Sequence, residues 1–152
     1  MLIKPGDWKG RGRFLYQGES LGSVVELEFR ASRDTHGEHI EGTISPETGD
    51  AFPFAVHVVE DDTGTFQITA SGGPSLEGTA KLESEPNLAM LWSEDGSSMA
   101  SVALFSTSRG CGCRGFHRRP AGVLTWEIVL TADQPAQRGG NVVSLTSGRK
   151  RR

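Results

Sequence analysis

The chain has 152 residues, of which 36% are hydrophobic and 23% are charged, and its formal net charge is −3. This length and composition fit one globular domain with a hydrophobic core and exclude a disordered chain. No apolar run approaches the roughly 20 residues that span a bilayer, and the first ten residues lack the apolar core of a signal peptide. We therefore expect a cytoplasmic protein with reduced cysteines and no membrane partner.

The charges are distributed unevenly along the chain. Residues 132–152 carry five of the 16 Lys and Arg residues but only one of the 19 Asp and Glu residues. The terminal GRKRR is predicted to be a disordered chain end, and contact with nucleic acid or an anionic surface is the alternative. A mildly acidic body argues against broad nucleic-acid binding, because such binding requires a basic face.

Alternation of apolar and polar residues predicts β-strands along most of the chain, and a helical period is absent. SVVELEFRAS places Leu27 and Phe29 on one face of a strand, and NLAMLWSE places Met90 and Trp92 on one face. In GVLTWEIVLTA, Trp126 shares its face with the apolar residues two positions before and after it. The predicted strands lie near 11–17, 21–32, 38–45, 52–60, 65–71, 76–83, 87–93, 98–107, 122–131 and, weakly, 141–146.

The connections between these segments have the composition of β-hairpin turns. EDDTGT, SGGPS, SEPN and SEDGSS supply Gly, Pro, Asn or Asp for tight reversals. A meander of about ten strands tends to curl and close, because an open edge invites aggregation. The sequence therefore predicts an all-β fold with a single antiparallel up-and-down barrel over residues 1–131, and a β-sandwich is the alternative. Residues 132–152 are predicted to be a tail, to which 141–146 could add a last strand.

The interior of such a barrel can hold a small ligand. Alternation directs the large apolar side chains inward, where they would line a binding cavity. The predicted ligand-binding residues are Tyr16, Phe29, Phe54, Met90, Trp92 and Trp126. Filling of the core is the alternative role for each of them, since most buried aromatic residues serve only packing.

The segment GDWKGRGRFLY resembles the first strand of calycin-type barrels, in which the Trp of a Gly-x-Trp motif closes one end. The wider pattern Gly6-x-Trp8-x-Gly10-x-Gly12, followed by Tyr16, is similar to nitrobindin-like proteins. Those are ten-stranded, fatty-acid-binding-protein-like barrels that bind haem. The resemblance implies a calycin-like, or lipocalin-like, barrel with a ligand-binding role.

Haem binding is not carried over to this chain. The haem-binding relatives have a Tyr-Pro segment after the first strand and a proximal histidine near the C-terminus. Here Gln17 follows Tyr16, and residues 132–152 contain no histidine. Haem iron needs an axial side-chain ligand, so the sequence does not support haem, and the cofactor stays unknown.

The segment RGCGCRGFHRRP, residues 109–120, holds both cysteines and is predicted to be a long connection at one end of the barrel. Its candidate functional residues are Arg109, Cys111, Cys113, Arg114, His117, Arg118 and Arg119. Two thiolates and an imidazole could bind a soft metal, but structural zinc sites generally use four ligands, so no metal site is assigned. Nearby arginines could lower the pKa of a thiol for redox chemistry, or could bind an anion. A purely structural connection is the favoured interpretation.

No motif of a known catalytic class occurs in the chain, which lacks Gly-x-Ser-x-Gly, His-Glu-x-x-His and a Walker loop. The expected function is that of an intracellular binding protein for a small, mostly apolar ligand in the barrel interior. An enzyme with chemistry at residues 109–120 and a protein-interaction module without a ligand are the alternatives. The ligand and the oligomeric state stay open.

Overall fold

Ten antiparallel β-strands make up the structure, a computed structural model that describes residues 1–63 and 65–133. The strands are β1 (Gly6–Tyr16), β2 (Ser23–Asp34), β3 (Gly37–Pro46), β4 (Phe52–Glu60), β5 (Phe66–Ser71), β6 (Leu76–Lys81), β7 (Asn87–Trp92), β8 (Met99–Thr107), β9 (Gly110–Arg119) and β10 (Gly122–Ala132). The described residues contain no helix, and hence none of the length and hydropathy that a membrane-crossing helix requires.

The strands follow chain order around a closed barrel, because β1 pairs with both β2 and β10. Residues 8–16 of β1 pair with residues 124–132 of β10, and residues 6–14 pair with residues 23–31 of β2. Closure leaves no free edge in this sheet, which removes a template for aggregation. The predicted all-β up-and-down barrel is thus confirmed, and its form is compatible with a calycin-like fold.

The prediction of a long connection over residues 109–120 is wrong. Gly110–Arg119 form β9, which a two-residue turn at 108–109 joins to β8. The sequence of β9 lacks the alternation of apolar and polar residues by which the other strands were predicted. Its inward positions include Gly115 and His117 instead of large apolar residues, and glycine and arginine occupy outward positions. The number of strands is nevertheless ten, and the predicted weak strand at 141–146 lies outside the described residues.

One end of the barrel is closed by Trp8 and the N-terminal segment. Trp8 is buried, stacks on Phe29 with ring centroids 6.1 Å apart, and donates its Nε1–H to the Lys4 carbonyl at 2.8 Å. The Leu2 backbone N–H donates to Oδ1 of the buried Asn87 at 2.7 Å. Since β7, which begins at Asn87, lies four strands from β1 in one direction and six in the other, the N-terminal segment must cross this end of the barrel.

Strand β7 carries apolar residues on both faces, and the face with the smaller side chains points inward. The buried face consists of Asn87, Ala89 and Leu91. The outward face consists of Leu88, Met90 and Trp92, which are 42%, 41% and 42% exposed. The predicted inward placement of Met90 and Trp92 is therefore wrong. The inward positions instead pack with alanine and leucine side chains of the neighbouring strands, and pairing with β6 and β8 fixes that orientation.

Gly12 provides the first test of the fold, because it lies on β1 against the backbone of β10. A Cβ at Gly12 would collide with the Glu127 carbonyl oxygen and with Cα of Ile128. We predict that Gly12→Ala lowers the free energy of unfolding by roughly 1–3 kcal/mol, as overpacking does, in urea denaturation. The matched control is Gly73→Ala, because a Cβ at Gly73 meets no atom within 4 Å. Equal effects of the two substitutions would contradict the packing argument.

Candidate functional site

The barrel interior has two separate apolar clusters, which differ in the size of their side chains. The buried residues of the larger cluster are Ile3, Trp8, Phe14, Val25, Phe29, Ala31, Ile40, Cys111, Ile128 and Leu130. The smaller cluster consists of Leu76, Ala89, Leu91 and Ala100, with Ile68, Ala70, Ala80 and Val102 partly buried against it. Alanines make up half of this second wall. The wall formed by β5–β8 is therefore lined by smaller side chains than the wall around Trp8.

Three of the six predicted ligand-binding residues belong to the larger cluster. Phe29 lies within the closed end, between Trp8 and an edge-on contact with Phe54 at a centroid distance of 6.1 Å. Phe54 and Trp126 are half-buried and pack against the same cluster. The indole of Trp126 lies so close to Gly115 that a Cβ there would collide with it. Contact of these residues with a ligand stays a prediction.

Polar side chains meet at the end of the barrel opposite Trp8. Leu124 on β10 pairs with Tyr16 on β1 and with His117 on β9, so these three residues form one row across three strands. Arg119 occupies the next inward position of β9 and pairs with Gly122. Because Gly122 has no side chain, the Arg119 guanidinium reaches across β10, and its Cζ lies 5.9 Å from the centroid of the Tyr16 ring. Tyr16 itself is 37% exposed at this rim.

Two nitrogen atoms at this end are buried and have no hydrogen-bond partner in the described part of the chain. They are Nε2 of His117 and Nε of Arg119. Burial, and then the charge of Arg119, lower the pKa of His117. His117 is therefore neutral at neutral pH, and Arg119 supplies the positive charge. Buried polar atoms are seldom left unpaired, and each exception needs an explanation.

The positive charge of Arg119 has no side-chain carboxylate within ion-pair distance. No Asp or Glu of the described residues is within 4.0 Å of its nitrogen atoms. We call the group formed by Tyr16, His117 and Arg119 the cationic rim.

The other arginines of the 109–120 segment lie elsewhere. Arg114 points outward, forms an ion pair with Glu127 at 2.5 Å, and lies 5.5 Å from the centroid of the Phe105 ring. Arg118 is exposed on the outer wall, and Arg109 lies in the turn before β9. Side chains along β9 point alternately inward and outward, so the seven predicted functional residues do not form one cluster. Of the seven, only His117 and Arg119 belong to the cationic rim.

The two cysteines face the apolar interior as free thiols. Burial raises the pKa of Cys113 to about 11, against a smaller opposing effect of a hydrogen bond from Trp126, and burial also raises the pKa of Cys111. The stronger effect on Cys113 fits its position in the middle of β9, between Leu104 and Ile128. The prediction that arginines lower these pKa values is wrong. Residues 1–63 and 65–133 contain no group of three or more side chains suited to hold a metal ion.

A groove of about 950 Å³ lies on the outer wall instead, over β1, β2 and β3. Four of the charged residues that line it, Lys9, Arg11, Arg13 and Glu26, already have partners. Lys9 pairs with Asp133 at 3.1 Å, Arg11 with Glu26 at 3.8 Å, and Arg13 donates to the Gly22 carbonyl at 2.7 Å. The groove lies between exposed side chains, most of whose charges are paired, whereas the cationic rim combines a charge with buried polar atoms that have no partner within the described residues, so the rim is the better candidate for a ligand site.

Comparisons of the chain with protein-family models, curated proteins and solved structures found no match. The form of the barrel is compatible with a calycin-like fold.

The cysteines provide a test of the inward orientation of β9. Both thiols should react with Ellman's reagent at least about ten times more slowly in the folded protein than in guanidinium at about pH 8, because the thiolate is the nucleophile. Cys113→Ser isolates the reaction of Cys111, and Cys111→Ser isolates that of Cys113. Rapid reaction of Cys113 in the folded protein would contradict its burial.

His117 provides a second test, through pH. Because its pKa is lower in the folded protein, the unfolded chain binds the proton more readily. The contribution of His117 to stability is therefore complete above its ordinary pKa of 6.5 and is lost as the pH falls through the lowered value. We expect the free energy of unfolding to fall with pH in this window, and to fall less in His117→Gln. An unchanged slope in that variant would rule out the assignment.

Proposed function

We propose that this protein binds a small, mostly apolar molecule with an anionic group inside the barrel, in the cytoplasm. The single observation that carries the proposal is the cationic rim. It combines a charge that pairs with no carboxylate of residues 1–63 and 65–133 and two buried nitrogen atoms that have no hydrogen bond there. A positive charge next to an apolar interior is stabilised by a counter-charge, and an anionic ligand would supply it.

The anionic group would be held by donors that differ in kind. The Arg119 guanidinium offers parallel N–H groups that match a carboxylate or phosphate. Neutral His117 contributes one N–H, and the Tyr16 hydroxyl is a further donor at the solvent-exposed edge. Arrangement of these donors on adjacent strands gives the site its rigidity.

The apolar part of the ligand would extend from the rim into the interior. Leu124 and Trp126 on β10 continue the inward face from His117 and Gly115 toward the closed end. On the opposite side, small residues of β5–β8, such as Ala89 and Ala100, would form the wall against which the apolar part lies. Burial of apolar surface would provide the main part of the affinity, at roughly 25 cal/mol per Å², and the rim would fix orientation.

The enzyme alternative receives less support from the geometry of β9. Its thiols are protonated at neutral pH and lie on the opposite side of the strand from Arg114 and Arg118. The interaction-module alternative concerns the outer wall and does not compete with a ligand in the interior.

A matched pair of ligands tests the proposal. Decanoate and decanol share one alkyl chain, so their binding, measured by quenching of tryptophan fluorescence and by calorimetry, isolates the contribution of the anion. We expect tighter binding of decanoate, and a loss of about 10- to 100-fold in its affinity in Arg119→Gln, as for a charge-assisted hydrogen bond. Decanol should bind both proteins alike.

The neighbouring arginine provides the control. Arg118→Gln removes the same charge one residue away, on the outer wall, and should leave both affinities unchanged. Equal losses in the two variants would show a general effect of charge. If neither ligand binds, and native mass spectrometry of the untagged protein finds no copurified small molecule, the proposed function is wrong.

A further inference from the structure

The outer wall of β7–β9 carries a surface that is apolar except at Ser101, which lies between Met90 and Phe116. Strand pairing places Trp92 beside Met99, and Leu88 beside Ala103, while Met90 lies in one row with Phe116 of β9. We call this surface the outer apolar face. Its members are Leu88, Met90 and Trp92 of β7, Met99, Ala103 and Phe105 of β8, and Phe116 of β9.

This surface differs from an ordinary exposed apolar residue. Leu21, which is 82% exposed, lies alone in the turn between β1 and β2, and isolated residues of this kind are normal. The outer apolar face instead joins three large exposed side chains of one strand to apolar neighbours on two more. A contiguous patch with a polar border marks an interaction site.

The charges at the border of this face are complementary to one another. The row that contains Trp92 and Met99 begins at Glu77 on β6 and ends at Arg118 on β9. Neither Glu77 nor Arg118 has an ion-pair partner among the described residues. An acid and a base, both unpaired, thus lie at opposite edges of one apolar surface.

We propose that a second copy of this chain covers the outer apolar face, with a two-fold axis parallel to the strands. Such an axis exchanges the two edges of the face. Glu77 then lies against Arg118 of the partner subunit, and Trp92 against the partner's Met99. A two-fold interface requires a surface that is complementary to itself, and this row meets that requirement.

The lower row is compatible with the same arrangement. It runs from Lys81 through Leu88 and Ala103 to Arg114. Although Lys81 would approach the partner's Arg114, that guanidinium is already paired with Glu127, so a carboxylate is present at the contact. The pair at the upper row therefore determines the register of the two subunits.

The size of the face predicts the strength of the dimer. Four strands and three alternate rows cover about 20 Å by 20 Å including side chains, from the strand spacing and the rise per residue. This corresponds to about 400 Å² for each subunit, about half of that in a standard interface. We therefore expect a reversible dimer that dissociates at micromolar concentrations.

Sedimentation velocity of the full chain, from about 1 to about 300 µM, tests the proposal over the range expected of a small interface. Wild type should change from monomer to dimer across this series, and Trp92→Glu should raise the dissociation constant at least tenfold. Leu21→Glu introduces the same charge outside the face and should leave the constant unchanged. Thermal unfolding of each variant checks that the barrel is intact.

Charge exchange tests the orientation of the subunits. Glu77→Arg and Arg118→Glu should each weaken the dimer by about tenfold, because each places like charges in contact at both symmetric positions. The double variant restores both contacts and should return to the wild-type constant. A double variant weaker than either single variant would overturn the proposed axis.

Other occupants of the face would give distinct results. A wild-type protein that stays monomeric throughout the series overturns the proposal, as does a dimer that Trp92→Glu leaves intact. Flotation with vesicles of anionic phospholipid, if it recovers monomeric wild type but not Trp92→Glu, would assign the face to a lipid surface instead. Ligand binding at about 1 µM protein is independent of these outcomes, because it takes place below the expected dissociation constant.

Discussion

The pairing of β1 with β10 is the constraint on which the rest of the structure depends. These strands lie at opposite ends of the described chain. Their hydrogen-bonded pairing therefore costs the conformational entropy of ordering every strand between them. Once formed, it determines which residues face inward, because a shift of one residue would exchange the two faces of a strand. The glycines of β1 allow the close approach, and at Gly12 a side chain would strike the backbone of β10.

Closure gives the interior two unlike ends. At one end Trp8 stacks on Phe29, and the N-terminal segment is held across the opening by Asn87. At the other end Arg119 lies over Gly122 and approaches Tyr16. An apolar interior that ends in one unpaired cation is suited to molecules that are themselves apolar at one end and anionic at the other. The two apolar clusters give the interior unlike walls, one rich in aromatic residues and one rich in alanine.

The fold could be predicted from the sequence, because alternation and turn composition are local properties. The inward positions of Phe29 and Trp126 follow from it, since polar residues flank each of them along its own strand. Alternation does not decide the orientation of β7, because both faces of that strand are apolar and the larger face is the outer one. It also missed β9, where small and polar residues take the inward positions. The cationic rim depends on Gly122 and on three strands that come together only when the barrel closes. Its composition therefore cannot be predicted from residue spacing in the sequence.

The segment that crosses the Trp8 end has a consequence for kinetics. Because the barrel is closed at the Trp8 end, a ligand of the proposed kind would enter and leave through the opposite end. It would enter with its apolar end first and leave with its anionic end first. Every departure would begin by breaking contacts with Arg119. Residence time would then be governed by a few polar contacts at the exit, whereas the apolar walls would mainly decide which molecules are retained at all.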